Sequence, residues 1–265
     1  MQTNDKNLIY TDLHANQMAR EEKINAHSAA VILALLRKRY PFTRVLDVGC
    51  GLGTWLRVCA SDFGCEVSGL EGSWLDRTRL QVDPSLVQTV DLEKGFTLGK
   101  KFDLAICLEV GEHLPAESAG TLIGSLTAHA DVVLFSAAIP HQGGHNHVNE
   151  RFPRYWADLF HQHGFIPLDF IRGMIWSDPE VLWWLRQNIL VFACETRLPE
   201  WPPLMEAREN PPPLEVVHPD VYLSRIQQLM VALKEHQTLM AYLGAGGQFR
   251  ADRNASGQIT LQKLG

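Results

Sequence analysis

Between Arg44 and Trp55 the chain reads RVLDVGCGLGTW, an apolar run that closes on Asp47 and then on Gly49, Gly51 and Gly53 before a helix-like stretch begins. A turn needs one glycine or two. Their repetition strips side chains from a longer piece of backbone, as a ligand lying against the main chain requires. A strand, a glycine loop and a helix in that order belong to a parallel sheet, where ligands sit outside the carboxyl ends of the strands.

The rest of the chain repeats this alternation. Apolar, β-rich runs occur at RVLDVG, CEVSGLEG, VQTVDL, FDLAICLEV, DVVLFSAAIP, FIPLDFIRGMIW and NILVFACE, with helical patterns between several of them. The runs are continuously apolar rather than alternating, which predicts a mostly parallel sheet covered by helices on both faces. Short connections between the last runs predict an antiparallel edge strand. AHSAAVILALLRKRY predicts a first helix within Asn16–Arg39. After Glu195 a proline-rich stretch reads as an extended linker, and VYLSRIQQLMVALKEHQTLMAYL as a long amphipathic helix. The domain reading is therefore an N-terminal flap and helix (1–40), a catalytic domain (41–197), a linker (198–219), and a helix with a loosely ordered tail (220–265). The helix's apolar stripe must meet either the domain's own flank or the same helix in a homodimer.

Composition narrows the partners. Hydrophobic residues make up 46% of the chain, enough for a sizeable core, and the net charge of −6 comes without any basic block. That charge balance argues against nucleic acid or an anionic membrane as the main partner. The first residues lack a secretory pattern, and Cys50, Cys59, Cys65, Cys107 and Cys194 form no CxxC pair. They read as reduced thiols of a cytoplasmic protein.

The glycine spacing is G-C-G-L-G, not the G-x-G-x-x-G of dinucleotide sites, and Asp47 would repel a pyrophosphate while suiting a cationic amino-acid moiety. VLDVGCGLGTW resembles the first motif of the class I S-adenosylmethionine-dependent methyltransferases, and GGHNHVNE followed by PRYW, further along the chain, resembles their bacterial small-molecule and carbohydrate-linked branch. The resemblance implies their Rossmann-like sheet, S-adenosylmethionine as cofactor and S-adenosylhomocysteine as product. It extends over roughly Asn25–Glu195. On matching positions it implies that Asp47, Gly49, Cys50, Gly51 and Gly53 hold the methionine end and that Glu71 and Gly72 hold the ribose. Asp91 and Leu92 fall at the adenine, and Cys107, Leu108, Glu109 and His113, from LEVGEHL, flank the cofactor. A carboxylate suits a ribose because it can accept hydrogen bonds from both hydroxyls. The N/D-P-P-Y/F signature of nucleic-acid enzymes is absent from LEVGEH.

After the fifth apolar run comes IPHQGGHNHVNERFPRYW, with His141, His145, His147 and Glu150 within ten residues. Three readings stand side by side. His147 acts as a general base with Glu150 or His145 fixing its tautomer; or the three histidines bind a metal; or all are loop-shaping polar residues. The working expectation is a histidine base and no metal. Tyr155, Trp156, Arg172, Trp176 and Arg186 are candidate contacts for a small polar acceptor, the alternative being that the aromatics pack onto the sheet. Tyr10 and His14 are candidates for a flap over the cofactor. The expected activity is O-methylation of a hydroxyl on a sugar-like or natural-product acceptor. N- or carboxyl-methylation, and a catalytically silent cofactor-binding protein, are the alternatives.

Overall fold

The computed structural model describes residues 22–208, 213–253 and 259–264. Tyr10 and His14 lie outside them. The chain divides into two compact units, Met1–His218 and Pro219–Gly265.

In the first unit, α1 covers residues 22–37. Ala29, Ile32, Leu33 and Leu36 recur at helical spacing and are wholly buried. The sheet is built from β1 (Arg44–Val48), β2 (Glu66–Glu71), β3 (Val87–Thr89), β4 (Leu104–Leu108), β5 (Val132–Ser136), β6 (Phe165–Leu168) and β7 (Leu190–Cys194). Its order is β3-β2-β1-β4-β5-β7-β6. The first five strands are parallel, and β7 runs antiparallel to both β5 and the edge strand β6. This is the seven-stranded, mostly parallel Rossmann-like sheet expected.

Helices cover both faces. On one, α1 and α2 (Thr54–Ser61) pack on Val45, Leu104, Ile106 and Leu134. On the other, α3 (Ala119–His129) and α4 (Pro153–Gln162) cover Leu46, Ala105, Val133 and Phe192, with the Phe160 and Phe192 rings stacked 3.8 Å apart. Pro153 sits in the first turn of α4, where its missing N–H costs nothing.

Two local expectations change. The run from Phe165 to Trp176 is not one strand: β6 stops at Leu168 and α5 (Arg172–Ile175) follows. Arg172 folds back on Asp169 and donates to the carbonyls of Gln187 and Leu214, at 3.2 and 3.0 Å, which turns the chain. α6 (Trp183–Asn188) then leads into β7. The proline-rich segment is not wholly extended either. Pro202 and Pro203 open a helical turn, α7 (Pro202–Met205), and Leu198, Leu204 and Leu214 are buried.

The second unit consists of α8 (Pro219–Gly244) and an antiparallel pair, β8 (Gln248–Arg253) and β9 (Ile259–Leu264). The expected loose tail is thus a β-pair, whose two six-residue strands match Gln248 to Leu264 and Arg253 to Ile259. Among the described residues no helix is long and apolar enough to cross a membrane.

Candidate active site

Sheet order reverses between β1 and β4, and the loops leaving their carboxyl ends diverge there. A cleft of about 400 Å³ opens at this point, lined by Asp47, Gly49, Cys50 and Gly51 after β1 and by Leu108 and Glu109 after β4. Glu22, Asn25, Thr54 and Trp55 contribute from α1 and α2, and Leu182, Trp184 and Leu185 from the segment around α6. Two side-chain bonds tie these walls together: Thr54 Oγ1 to Glu22 at 2.6 Å, and Trp55 Nε1 to Asn25 at 3.1 Å.

The glycine loop has the backbone that its sequence required. Gly49 has φ +74°, and a Cβ there would lie 2.4 Å from Val110 Cγ2. Gly53, at φ +81°, caps α2 in the left-handed conformation. Asp47, the fourth residue of β1, is buried, and burial together with the neighbouring Glu71 charge pushes its carboxyl up to about 8. A ligand cation is the natural way to restore its charge. Glu71, at the tip of β2, accepts the N–H groups of Gly51 at 2.7 Å and Gly72 at 2.8 Å, one on each oxygen. Each oxygen keeps a lone pair for a ribose hydroxyl.

These features fit an aminoacyl sulfonium nucleoside: a buried acid for the ammonium, backbone laid bare by glycine, and a fixed carboxylate for a diol. A family model described as a methyltransferase domain matches residues 19–176. The chain belongs to the methyltransferase domain family. No curated protein sequence matches it. Similar solved structures include DesVI from Streptomyces venezuelae, at 28% identity over 51% of this chain and 60% of that one, with a TM-score of 0.42. The chain thus spans three fifths of the length of DesVI. They also include S-adenosylmethionine-bound CalS10, an amino pentose methyltransferase from Micromonospora echinaspora, at 19% identity over 69% and 96%, TM-score 0.50. A third is the sugar N-methyltransferase KedS8 from Streptoalloteichus sp ATCC 53650, at 17% identity over 69% and 92%, TM-score 0.47.

Not every residue assigned to the donor faces it. Cys107 is fully buried within the sheet, its thiol driven well up by burial, while Leu108 beside it lines the cleft. Strand alternation sends the two side chains opposite ways. Asp91 is exposed, caps the turn at Glu93 and pairs with Lys94 at 2.9 Å, and hydrogen bonding from Lys94 holds its carboxyl low. Leu92 beside it is buried in the core.

On the acceptor side the methyltransferase domain departs further from expectation. Arg172 and Arg186 are buried and do not line the cleft; both donate to backbone carbonyls, Arg186 to Trp176. Trp156 is core, stacked under Gly111 and beside Phe135. Tyr155 packs at the rim of that core, its hydroxyl 3.4 Å from the Ala116 carbonyl. Trp176 packs on His218. Among the described residues, the aromatics that line the cleft are Trp55, from α2, and Trp184, from α6.

A polar network that the sequence did not reveal surrounds Glu109. This residue adopts φ +53°, and its carboxylate accepts Asn188 Nδ2 at 3.1 Å and Gln142 Nε2 at 3.2 Å. Gln187 and Asn188 both donate to Gln142 Oε1, at 3.2 and 2.9 Å, and Gln187 Oε1 accepts the His218 N–H at 2.8 Å. Burial raises the Glu109 carboxyl, and burial with the Glu109 charge pushes Glu112 up to about 9.

In the histidine loop, His147 Nδ1 lies 3.0 Å from Glu150. Glu150 also accepts the N–H groups of His141 at 2.7 Å and Gly143 at 2.8 Å. Against the opposing effect of burial, these contacts hold its carboxyl below the usual range. His141 and His145 are exposed. His113 instead joins His147, ring centroids 4.9 Å apart, and burial then the His147 charge lower its pKa.

Proposed function

We propose that the protein methylates a hydroxyl group on a small, polar, sugar-like acceptor, with Asp47 and the Gly49–Gly53 backbone on the methionine end of the donor and Glu71 on its ribose. The C–S bond breaks as the O–C bond forms, the electron pair returns to sulfur to give S-adenosylhomocysteine, and the hydroxyl proton leaves. Alignment and exclusion of water do most of the work because the sulfonium is already a good leaving group. His147, braced by Glu150, promotes loss of the proton.

The observation that carries this reading is the His147–Glu150 pair on the loop after β5, close to Glu112, whose neighbour Glu109 lines the donor cleft. An alcohol needs help to lose its proton, whereas a carboxylate acceptor does not. The test is S-adenosylhomocysteine release with matched panels of alcohols, amines and carboxylates. Turnover confined to amines or carboxylates refutes O-methylation, and cofactor binding without turnover on any panel refutes catalysis.

We also propose a homodimer through α8. Tyr222, Ile226, Leu229, Leu233, Met240 and Leu243 are exposed at alternating three- and four-residue steps or their multiple, the spacing of a two-helix seam. Light scattering on the full chain, and on Leu229→Asp with Leu233→Asp, checks this: a monomeric wild type refutes it.

A further inference from the structure

The strongest unassigned feature is Glu112. It is fully buried, and its carboxyl oxygens make no well-aligned hydrogen bond, their nearest polar neighbours being the Glu109 carboxyl and the backbone N–H groups of Ala138 and of Glu112 itself. A carboxyl left so in a protein interior costs free energy unless something binds it. One of its oxygens lies within 4.8 Å of a ring nitrogen of His113 and of one of His147, and those two nitrogens are within the same distance of each other. Small side-chain adjustments bring such a trio to the roughly 3–4 Å separations that ligands about 2.0–2.2 Å from one ion require.

Each imidazole is already oriented from behind. His147 Nδ1 is held by Glu150, which leaves Nε2, packed beside Gly144, as the candidate ligand atom. A carboxylate behind a histidine fixes the tautomer a metal needs. His113 is held by the backbone of Asn146, and one of its ring nitrogens lies within 4.8 Å of Glu112 and His147. Asn146 itself sits at φ +57°. The 3₁₀ turn Gly111–His113 presents Glu112 and His113 together, and its Glu112 carbonyl accepts the N–H groups of Val148 and Asn149, at 2.8 and 3.0 Å. The two ligand-bearing loops are therefore pinned to each other by backbone bonds.

We propose that Glu112, His113 and His147 bind one divalent transition-metal ion whose open positions take the acceptor's hydroxyl oxygens. Two imidazoles and one carboxylate favour a zinc-class ion over magnesium or calcium, which prefer all-oxygen sites. Three protein ligands leave room for substrate. An ion there raises the acidity of a bound alcohol, whose proton passes to solvent, and leaves the oxygen poised for the methyl group. This deepens the O-methylation reading and rests on it for the acceptor; His147 then serves as a ligand rather than as a direct base. The exposed His141 and His145 take no part. A vicinal diol, able to occupy two open positions, is the acceptor class such a site selects.

The experiment is calorimetric titration of chelator-treated full-length protein with zinc sulfate, repeated with cobalt chloride and read by visible absorption. Expected are one equivalent of zinc, cobalt d–d bands of a nitrogen- and oxygen-ligated centre, and binding weakened beyond detection in Glu112→Gln and His113→Asn. Glu150→Gln, which weakens the brace on His147 together with the loop contacts to His141 and Gly143, weakens zinc binding roughly 10–100-fold. Circular dichroism and S-adenosylhomocysteine affinity measured on each variant establish that the fold and donor site survive. Should Glu112→Gln fail to fold, His147→Asn, on the loop after β5, carries the same prediction. Wild-type protein that takes up neither ion, or folded variants that bind zinc as well as wild type does, overturns the metal site and leaves the methyltransferase reading standing. Zinc binding without hydroxyl methylation instead sinks the acceptor assignment alone.

Discussion

Glu71 Oε2 accepts the Gly51 N–H at 2.7 Å, so the acid at the tip of β2 holds the loop leaving β1 in place. The same carboxylate that is assigned to the ribose also sets the shape of the glycine turn. Replacing it removes ligand contacts and loop order together.

Glu71→Gln therefore weakens S-adenosylhomocysteine binding roughly 10–100-fold, from the loss of charge-assisted hydrogen bonds worth about 1.5–3 kcal/mol. Glu71→Ala weakens it further. Calorimetry on both variants checks the order. Affinity equal to wild type in the alanine variant removes Glu71 from the site.

Asp47 links cofactor binding to pH. Its carboxyl is raised from 3.8 to about 8 by burial and then by Glu71. The native state therefore holds a proton that the unfolded chain has released. The stability this confers is complete below pH 3.8 and is lost as pH rises through about 8, with a slope of up to roughly 1.4 kcal/mol per pH unit between. Asp47→Asn lacks this slope. Denaturant titrations from pH 5 to pH 8 are expected to show the variant gaining stability relative to wild type as pH rises, while losing S-adenosylmethionine affinity. A constant difference across that range contradicts the assignment.

Gly49→Ala meets both a left-handed backbone and Val110. A loss of about 1–3 kcal/mol is expected, read as a lower melting temperature. Gly51→Ala, with no atom within 4 Å of its added methyl, suffers the backbone cost alone and melts between the two.

His147→Ala is expected to lower turnover on the order of 10²–10⁴-fold with S-adenosylhomocysteine affinity retained. Arg172→Met separates the roles of the two sides. It breaks a buried pair with Asp169 and costs about 3–5 kcal/mol of stability, but leaves the acceptor KM of the surviving folded enzyme unchanged. A selective rise in KM restores Arg172 as a substrate contact.

The donor half was legible because it is local. A strand, an acid, spaced glycines and a helix are consecutive in sequence, and their geometry follows from backbone sterics. Glu71 ends the next strand and needs only a parallel neighbour to arrive beside Gly51. Cys107 could have been separated from Leu108 by strand alternation alone. The acceptor half is assembled from distant pieces. Nothing near Arg172 in sequence shows that Leu214 and Gln187 will claim its guanidinium, and long polar side chains read as ligand-facing until such partners are known. Glu112 escapes sequence reading for the converse reason: nothing in LEVGEHL shows that the Val148–Asn149 backbone will return to it and that the side chain will be buried.

Because β7 is inserted backwards, its beginning rather than its end arrives at the mouth of the sheet, next to the finishing ends of β4 and β5. Trp184 and Leu185 can thus wall the cleft, and Asn188 can grip Glu109, from a stretch that in an all-parallel order would emerge at the far rim. Evolution can rewrite residues 176–189 to suit a new acceptor while Asp47, the glycine loop and Glu71, encoded more than a hundred positions earlier, stay as they are.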